Sequence, residues 1–418
     1  MTADPTRSTP GFTKQHALIF VTITVFIDVV GFGVIMPVLP GLLVELSGED
    51  LASASKWGGW LIVSYAALQF LFAPVLGNLS DRYGRRPLLL ISLVLYGVNY
   101  LIAGLATSLW VLFVGRALTG IAGSTYSVAN ALIADVSPPE ERAQNFGLLG
   151  MAFGLGFIFG PTLGGVLSGW DLRAPFYFAA LLAFCNATYG YFVLKETLQK
   201  EHRRPFDIAR ANPVGALQQI SKYPMLIGML LAIFIYNIGH HVYPTNWNFY
   251  TIAKFDWTPL DIGLSMGLVG VLMAFVQGFL TGKVIPRLGE IRCAVIGMTF
   301  ASIAFLGYAF ATEGWMLYAW MIPGALGGFT FPSIQGLLSK QIPANAQGEL
   351  QGALGAVSSL VSILAPPVLT QLFGYYTAPE NPVYFPGAAF VAAAGIAMAA
   401  TAVFLLVARP RLGASARG

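Results

Sequence analysis

Long apolar runs broken by short polar turns set the pattern of this chain. The runs Trp57–Leu76 and Leu88–Val114 contain no Asp, Glu, Lys or Arg. Between them lies Gly77–Pro87, where Asp81, Arg82, Arg85 and Arg86 are charged. Runs of about 20 apolar residues predict helices that cross hydrocarbon, where every backbone group must be paired internally. Twelve spans are predicted, at about 17–39, 57–77, 88–106, 109–133, 145–168, 174–194, 224–249, 261–284, 290–311, 314–338, 347–373 and 384–408. The fold class is therefore an all-α membrane protein with twelve transmembrane helices.

The pattern is written twice. Gly77, Arg82 and Gly84 recur as Gly282, Arg287 and Gly289, and the same offset of 205 pairs Trp110 with Trp315 and Pro161 with Pro366. Two pseudo-symmetric six-helix halves follow, with a path for solute between them, an arrangement of secondary transporters. The predicted boundaries are a polar lead at 1–16, a first half at 17–194, a linker at 195–223, a second half at 224–408 and a tail at 409–418.

Composition and charge sharpen this picture. Of 418 residues, 56% are hydrophobic and 10% charged, against about 25% charged in soluble domains. The net charge of +4 does not indicate nucleic acid, because the basic residues lie in the turns. Only Lys56, Arg173 and Lys254 fall on the predicted outer side, and Arg116 lies within a span. The rest fall inside, which predicts an inner-membrane protein with both termini cytoplasmic. Cys185 and Cys293 sit in apolar runs and build neither a disulfide framework nor a zinc site. No metal or other cofactor is expected. The first span, 17–39, is too long for a signal-peptide core and is expected to be retained.

Candidate chemistry is sparse. Asp28 lies near the middle of the first span, where a carboxylate is costly. It is either a proton site or a polar anchor. Arg116 keeps its charge, so it either tunes neighbouring groups or pins helix ends. His240 and His241 come late in the seventh span and bind protons near neutral pH. Their surroundings, including Tyr236 and Asn237, form either a surface for an amphipathic ligand or an interfacial belt. Gln69, Tyr126, Asn130, Gln277 and Gln335 are further polar candidates for a central cavity. Gly156, Gly160 and Gly164 share a helical face, next to Pro161 and Gly165, and permit close helix packing. Gly263–Gly267 has the spacing of a nucleophile elbow but lies within a span, so packing explains it better. Gly278–Lys283 is one residue short of a phosphate loop. The chain gives no support for an enzyme or an ATP-driven pump.

These motifs carry a resemblance. Gly77–Pro87 resembles the signature between helices two and three of the major facilitator superfamily. Its core is Gly77, Asp81, Arg82, Gly84, Arg85 and Arg86. Gly156–Gly165 resembles the helix-five motif of the proton-driven drug antiporters, and Arg116 their helix-four arginine. Asp28–Pro40 is similar to helix one of the tetracycline-resistance subfamily. The resemblance implies a major facilitator fold and antiport driven by a proton gradient. It also implies small-molecule substrates, a lipid bilayer as surroundings and a monomer. The charged turn is expected to act as a conformational-switch latch, since Asp81 does nothing for orientation, with a positive-inside anchor as the alternative. The chain departs from the subfamily at Asn99 and Ala301, where the relatives carry aspartates, and at Met273, where they carry histidine. Proton coupling is then expected at Asp28, Arg116 or the span-seven histidines. A proton-coupled exporter of small amphipathic compounds is the leading expectation. A metabolite transporter of the same fold and a non-transporting sensor or scaffold are the alternatives.

Overall fold

The computed structural model describes residues 14–123, 128–129, 132–133, 135, 137, 142–198, 201, 203, 224–342 and 347–415. Among these the chain is helical, with no strand. Helix α1 (Lys14–Ile35) continues through a 3-10 turn, Met36–Val38, into α2 (Leu39–Ser47). Next come α3 (Leu51–Tyr83), α4 (Arg85–Gly104), α5 (Leu109–Ala122), α6 (Arg142–Ser168) and α7 (Ala174–Val193). Helices α8 (Pro224–His240) and α9 (Val242–Phe255) follow one another closely. Helix α10 (Pro259–Phe275) passes through a π-helical turn, Val276–Leu280, into α11 (Thr281–Leu288). The chain ends with α12 (Glu290–Phe310), α13 (Gly314–Ala325), α14 (Thr330–Ser339), α15 (Gln347–Thr377) and α16 (Ala388–Ser415).

Among the described residues, ten helical stretches are long and apolar enough to cross a membrane. The other two predicted spans correspond to α5, which is shorter, and to α13 and α14, which a 3-10 turn at Leu326–Phe329 separates. The charged turn differs from expectation. Gly77–Tyr83 is the last part of α3, and Arg85 already begins α4, so the reversal is made by Gly84 alone. Gly84 has φ +112°, and its counterpart Gly289 has φ +81°. Only glycine takes such angles without strain, which is why both turns need one. The seventh span also differs, because it breaks at His241. Local signals explain the opposite helix ends. Asp50 caps α3 by accepting from Ser53 N at 2.9 Å, and Thr258 with Asp261 forms a capping box on α10.

Helix α6 packs between α1 and α10, while α3 packs against α15. These two contacts of the first six spans with the last six are closest at the end remote from Gly84 and Gly289. A Cβ at Gly263 would lie 2.3 Å from Pro161 O, and one at Gly165 would lie 2.6 Å from Pro259 O. In the other pair, Gly59 would meet Thr370 Oγ1 at 2.3 Å and Gly374 would meet Ala52 O at 2.8 Å. Toward the charged turns the same helices part. Gly77 of α3, Gly147 and Gly150 of α6, Gly282 of α11 and Gly355 of α15 have nothing among the described residues within 4 Å of a built Cβ. Among the described residues the two sets of helices thus meet at one end and part at the face of the charged turns.

Candidate functional site

Asp28 stands in the middle of α1 and is half-buried. Among the described residues it has no basic partner in direct contact. Tyr65 of α3 and Tyr96 and Tyr100 of α4 surround it, all within electrostatic range. Arg116 of α5 reaches the same three tyrosines. A carboxylate and a guanidinium therefore share one ring of hydroxyls without forming a direct ion pair. Gln69 Nε2 holds Tyr65 in place, donating to its Oη at 2.9 Å and to Gly123 O at 2.9 Å. The rings of Tyr96 and Tyr100 lie 6.4 Å apart. Glycine at 31 admits Tyr100, whose Oη would be 3.3 Å from a Cβ there. Beside this ring, Asn99 and Arg116 line a small internal cavity with Ile35, Leu61, Leu112 and Phe176.

The span-seven histidines lie in a second cluster, away from Asp28. His240 sits among aromatic rings, 5.7 Å from Tyr236, 5.1 Å from Tyr243 and 6.3 Å from Phe305. His241 makes polar contacts instead, with Nδ1 3.1 Å from Asn237 O and Nε2 3.2 Å from Ser362 Oγ of α15. A carbonyl only accepts, so Nδ1 carries the hydrogen. Nε2 is then an acceptor in the neutral ring and a donor in the charged one. The single Ser362 hydroxyl hydrogen goes either to Nε2 of the neutral ring or to Ser358 O, 3.0 Å away, so proton uptake at His241 reverses the bond and leaves that hydrogen to Ser358 O. Met273 Sδ lies 3.4 Å from a Cβ built at Gly328, and the Ala301 Cβ lies 3.3 Å from one at Gly327. These two departures from the tetracycline-resistance pattern thus flank the 3-10 turn from different helices.

At the charged turn, Arg85 pairs with Asp81 and with Asp135, the latter at 3.2 Å, and donates to Ser80 Oγ at 3.0 Å. Arg86 donates to Tyr191 O at 2.7 Å, at the end of α7. Arg82 is exposed, with its guanidinium 5.1 Å from the Tyr83 ring. The turn's charges are thus tied to helices of the first half in this open form. Asp81→Asn is expected to leave folding and insertion intact, since a half-exposed pair contributes about 1 kcal/mol or less, while slowing turnover. Transport at the parent rate in proteoliposomes would reduce the turn to an anchor.

The helix-five motif is two-sided. Gly156, Gly160 and Gly164 lie against α1, where a Cβ at Gly160 would be 2.9 Å from Val30 O. Gly165, on the other side, meets α10, and Gly263, Gly267 and Gly270 of α10 meet Pro161, Thr162 and Ile158. The false nucleophile elbow is the opposing wall of this seam. The remaining cavity candidates do not converge. Gln69 belongs to the Asp28 cluster, Asn237 binds His241, Tyr236 is buried beside His240, Gln277 is exposed in the π-helical turn and Gln335 is part-buried in α14. Tyr126 and Asn130 lie outside the described residues. Sequence reasoning missed Tyr65, Tyr96 and Tyr100. The available signal was polar-tipped pairs at i,i+4, Tyr65 with Gln69 and Tyr96 with Tyr100, inside charge-free runs.

Comparisons with known proteins agree with this architecture. The family model described as Major Facilitator Superfamily matches residues 21–366. The chain is 40% identical to the tetracycline resistance protein, class C, of Escherichia coli over 360 residues, covering 86% of this chain and 90% of that protein. It is 28% identical to multidrug resistance protein 2 of Bacillus subtilis (strain 168), covering 92% of this chain and 96% of that one. The crystal structure of the human organic anion transporter MFSD10 (TETRAN) superposes with a TM-score of 0.69 at 23% identity. That likeness covers 95% of this chain and all of that one, and it concerns the fold alone.

Proposed function

The chain belongs to the Major Facilitator Superfamily, and we propose that it is a proton-coupled exporter of small amphipathic compounds. It is a multi-pass membrane protein whose relatives are transporters. The relatives named for tetracycline and multidrug resistance support export of drug-like compounds. The observation that carries the coupling is Asp28, a mid-span carboxylate among Tyr65, Tyr96 and Tyr100, with Arg116 acting on the same three tyrosines. A charge at that depth is costly and is kept where function uses it. Proton and substrate exclude one another there if each favours a different charge state of Asp28. Alternating access moves the site between faces: the seam of α6 with α10 and the contact of α3 with α15 open while the parted ends close.

In this reading the charged turns face the cytoplasm of a cell whose inner membrane holds the protein, and the proton gradient is the energy source. Asn99, Met273 and Ala301 make a metal–tetracycline complex a poor candidate substrate, because they remove an acid, a histidine and a second acid from the relatives' pattern. The test is uptake by everted membrane vesicles across a panel that includes tetracycline, other amphipathic cations and neutral amphipathic drugs. Accumulation of at least one compound is expected, and a protonophore abolishes it. Absence of gradient-dependent uptake for every compound would overturn the proposal.

A further inference from the structure

The N-terminus of α4 has no cap of its own. Its N-cap residue is Gly84, which has no side chain, and Pro87 in the first turn offers no N–H. The first two amides, of Arg85 and Arg86, still need acceptors. Both find one in a residue more than a hundred positions away. Glu196 follows α7, where the chain leaves the first six spans. Its Oε1 accepts from Arg85 N at 2.8 Å and its Oε2 from Arg86 N at 3.3 Å. Oε1 also accepts from Thr197 N and Leu198 N, each at 3.0 Å. Four backbone amides thus converge on one carboxylate, at the positive end of a helix.

Two further observations make the arrangement specific. A Cβ at Gly84 would fall 2.0 Å from Glu196 Oε2, so any side chain there would displace the carboxylate from the amides, and the positive φ itself favours glycine. Arg86 reinforces the contact by donating to Tyr191 O at 2.7 Å and placing its guanidinium 5.6 Å from the Tyr191 ring. The echo in the second half lacks this. Gly289 is also an N-cap glycine without side-chain cap, but nothing lies within 4 Å of a Cβ built there, and Glu290 pairs with Lys340 at 2.7 Å instead.

We propose that Glu196 is a positioning residue, a cap supplied to α4 from the end of α7 that pins the charged turn and thereby holds Arg85 between Asp81 and Asp135. The turn contains the residues that the transport reading assigns to switching, so the functional part of this proposal rests on that reading. The structural part does not. Without Glu196 the first turn of α4 frays, and the guanidinium at its first residue loses its fixed direction.

Hydrogen exchange on the full-length protein in nanodiscs tests the cap without any substrate. In Glu196→Ala the amides of Arg85 and Arg86 are expected to exchange about fivefold faster or more, and those of residues 93–97 as in the parent. Glu196→Gln, which keeps an acceptor oxygen, restores part of the protection. Asp135→Asn, which spares the cap, leaves both amides at the parent rate. Equal rates in parent and Glu196→Ala overturn the proposal. In the vesicle assay, Glu196→Ala is expected to lower the maximal rate about tenfold with the half-saturating concentration unchanged. The double variant with Asp135→Asn is expected to be no slower than the slower single, because both release Arg85. Multiplying effects overturn the positioning claim. If the parent exports nothing, the exporter reading fails and the exchange rates alone decide the cap.

Discussion

Asp28→Asn is expected to abolish uphill transport while leaving the protein folded and inserted. The amide is close in size to a protonated carboxyl and cannot take up or release a proton. Within α1 the exchange removes the only acidic side chain, so helix packing against α6 and α7 is undisturbed. An ion in hydrocarbon is expensive, and a neutral amide in its place removes that cost, so the variant is expected to melt at or above the parent temperature. Gradient-driven accumulation is expected to fall at least a hundredfold, into the range where loss of a group that changes charge during turnover is felt. Downhill exchange of substrate is expected to survive, because the variant keeps the size and shape of the side chain among Tyr65, Tyr96 and Tyr100. Accumulation that still follows the pH gradient in Asp28→Asn would move the proton site, with His241 and its reversible bond to Ser362 next in line.

The largest effect on stability is expected at the α6 seam. A Cβ at Gly164 would lie 2.0 Å from Val34 O and 2.7 Å from Val34 C. Those are backbone atoms of a buried helix, so relief requires α1 and α6 to separate rather than a side chain to turn. Gly164→Ala is expected to cost on the order of 3 kcal/mol and to lower the melting temperature in detergent. Gly147→Ala lies on the same helix with nothing within 4 Å. There the gain in helix propensity acts alone, about 0.5–1 kcal/mol in favour of the variant. Equal melting temperatures for the two variants would show that the seam is looser than its geometry.

Much of this architecture was legible because hydrocarbon imposes a simple grammar. Span after span could be read from runs without charge. The seam glycines were legible as well, since four-residue spacing places them on one face whatever the tertiary fold. Local features that depend on packing were not. Gly77–Pro87 reads as a turn from its polarity, yet helix propensity and the membrane surface carry α3 on to Tyr83, and only Gly84 breaks it. The break at His241 and the π-helical turn at Val276–Leu280 leave no periodic trace in the sequence. The Asp28 site was half visible: a lone carboxylate stands out in an apolar run, whereas Tyr65, Tyr96 and Tyr100 look like ordinary membrane aromatics until three helices bring their hydroxyls together. Glu196 was hidden for the opposite reason, being one of many charges in the predicted linker.

The central claim is that proton and substrate compete at Asp28. Proton release on substrate binding measures this directly, with purified protein in weakly buffered solution titrated by a compound that the vesicle panel identifies as exported. The account predicts release of about one proton per substrate bound by the parent at a pH where Asp28 is protonated in the free protein, and none by Asp28→Asn at saturating substrate. Equal proton release by the two proteins, or substrate binding by the parent with no release at any pH, would contradict it.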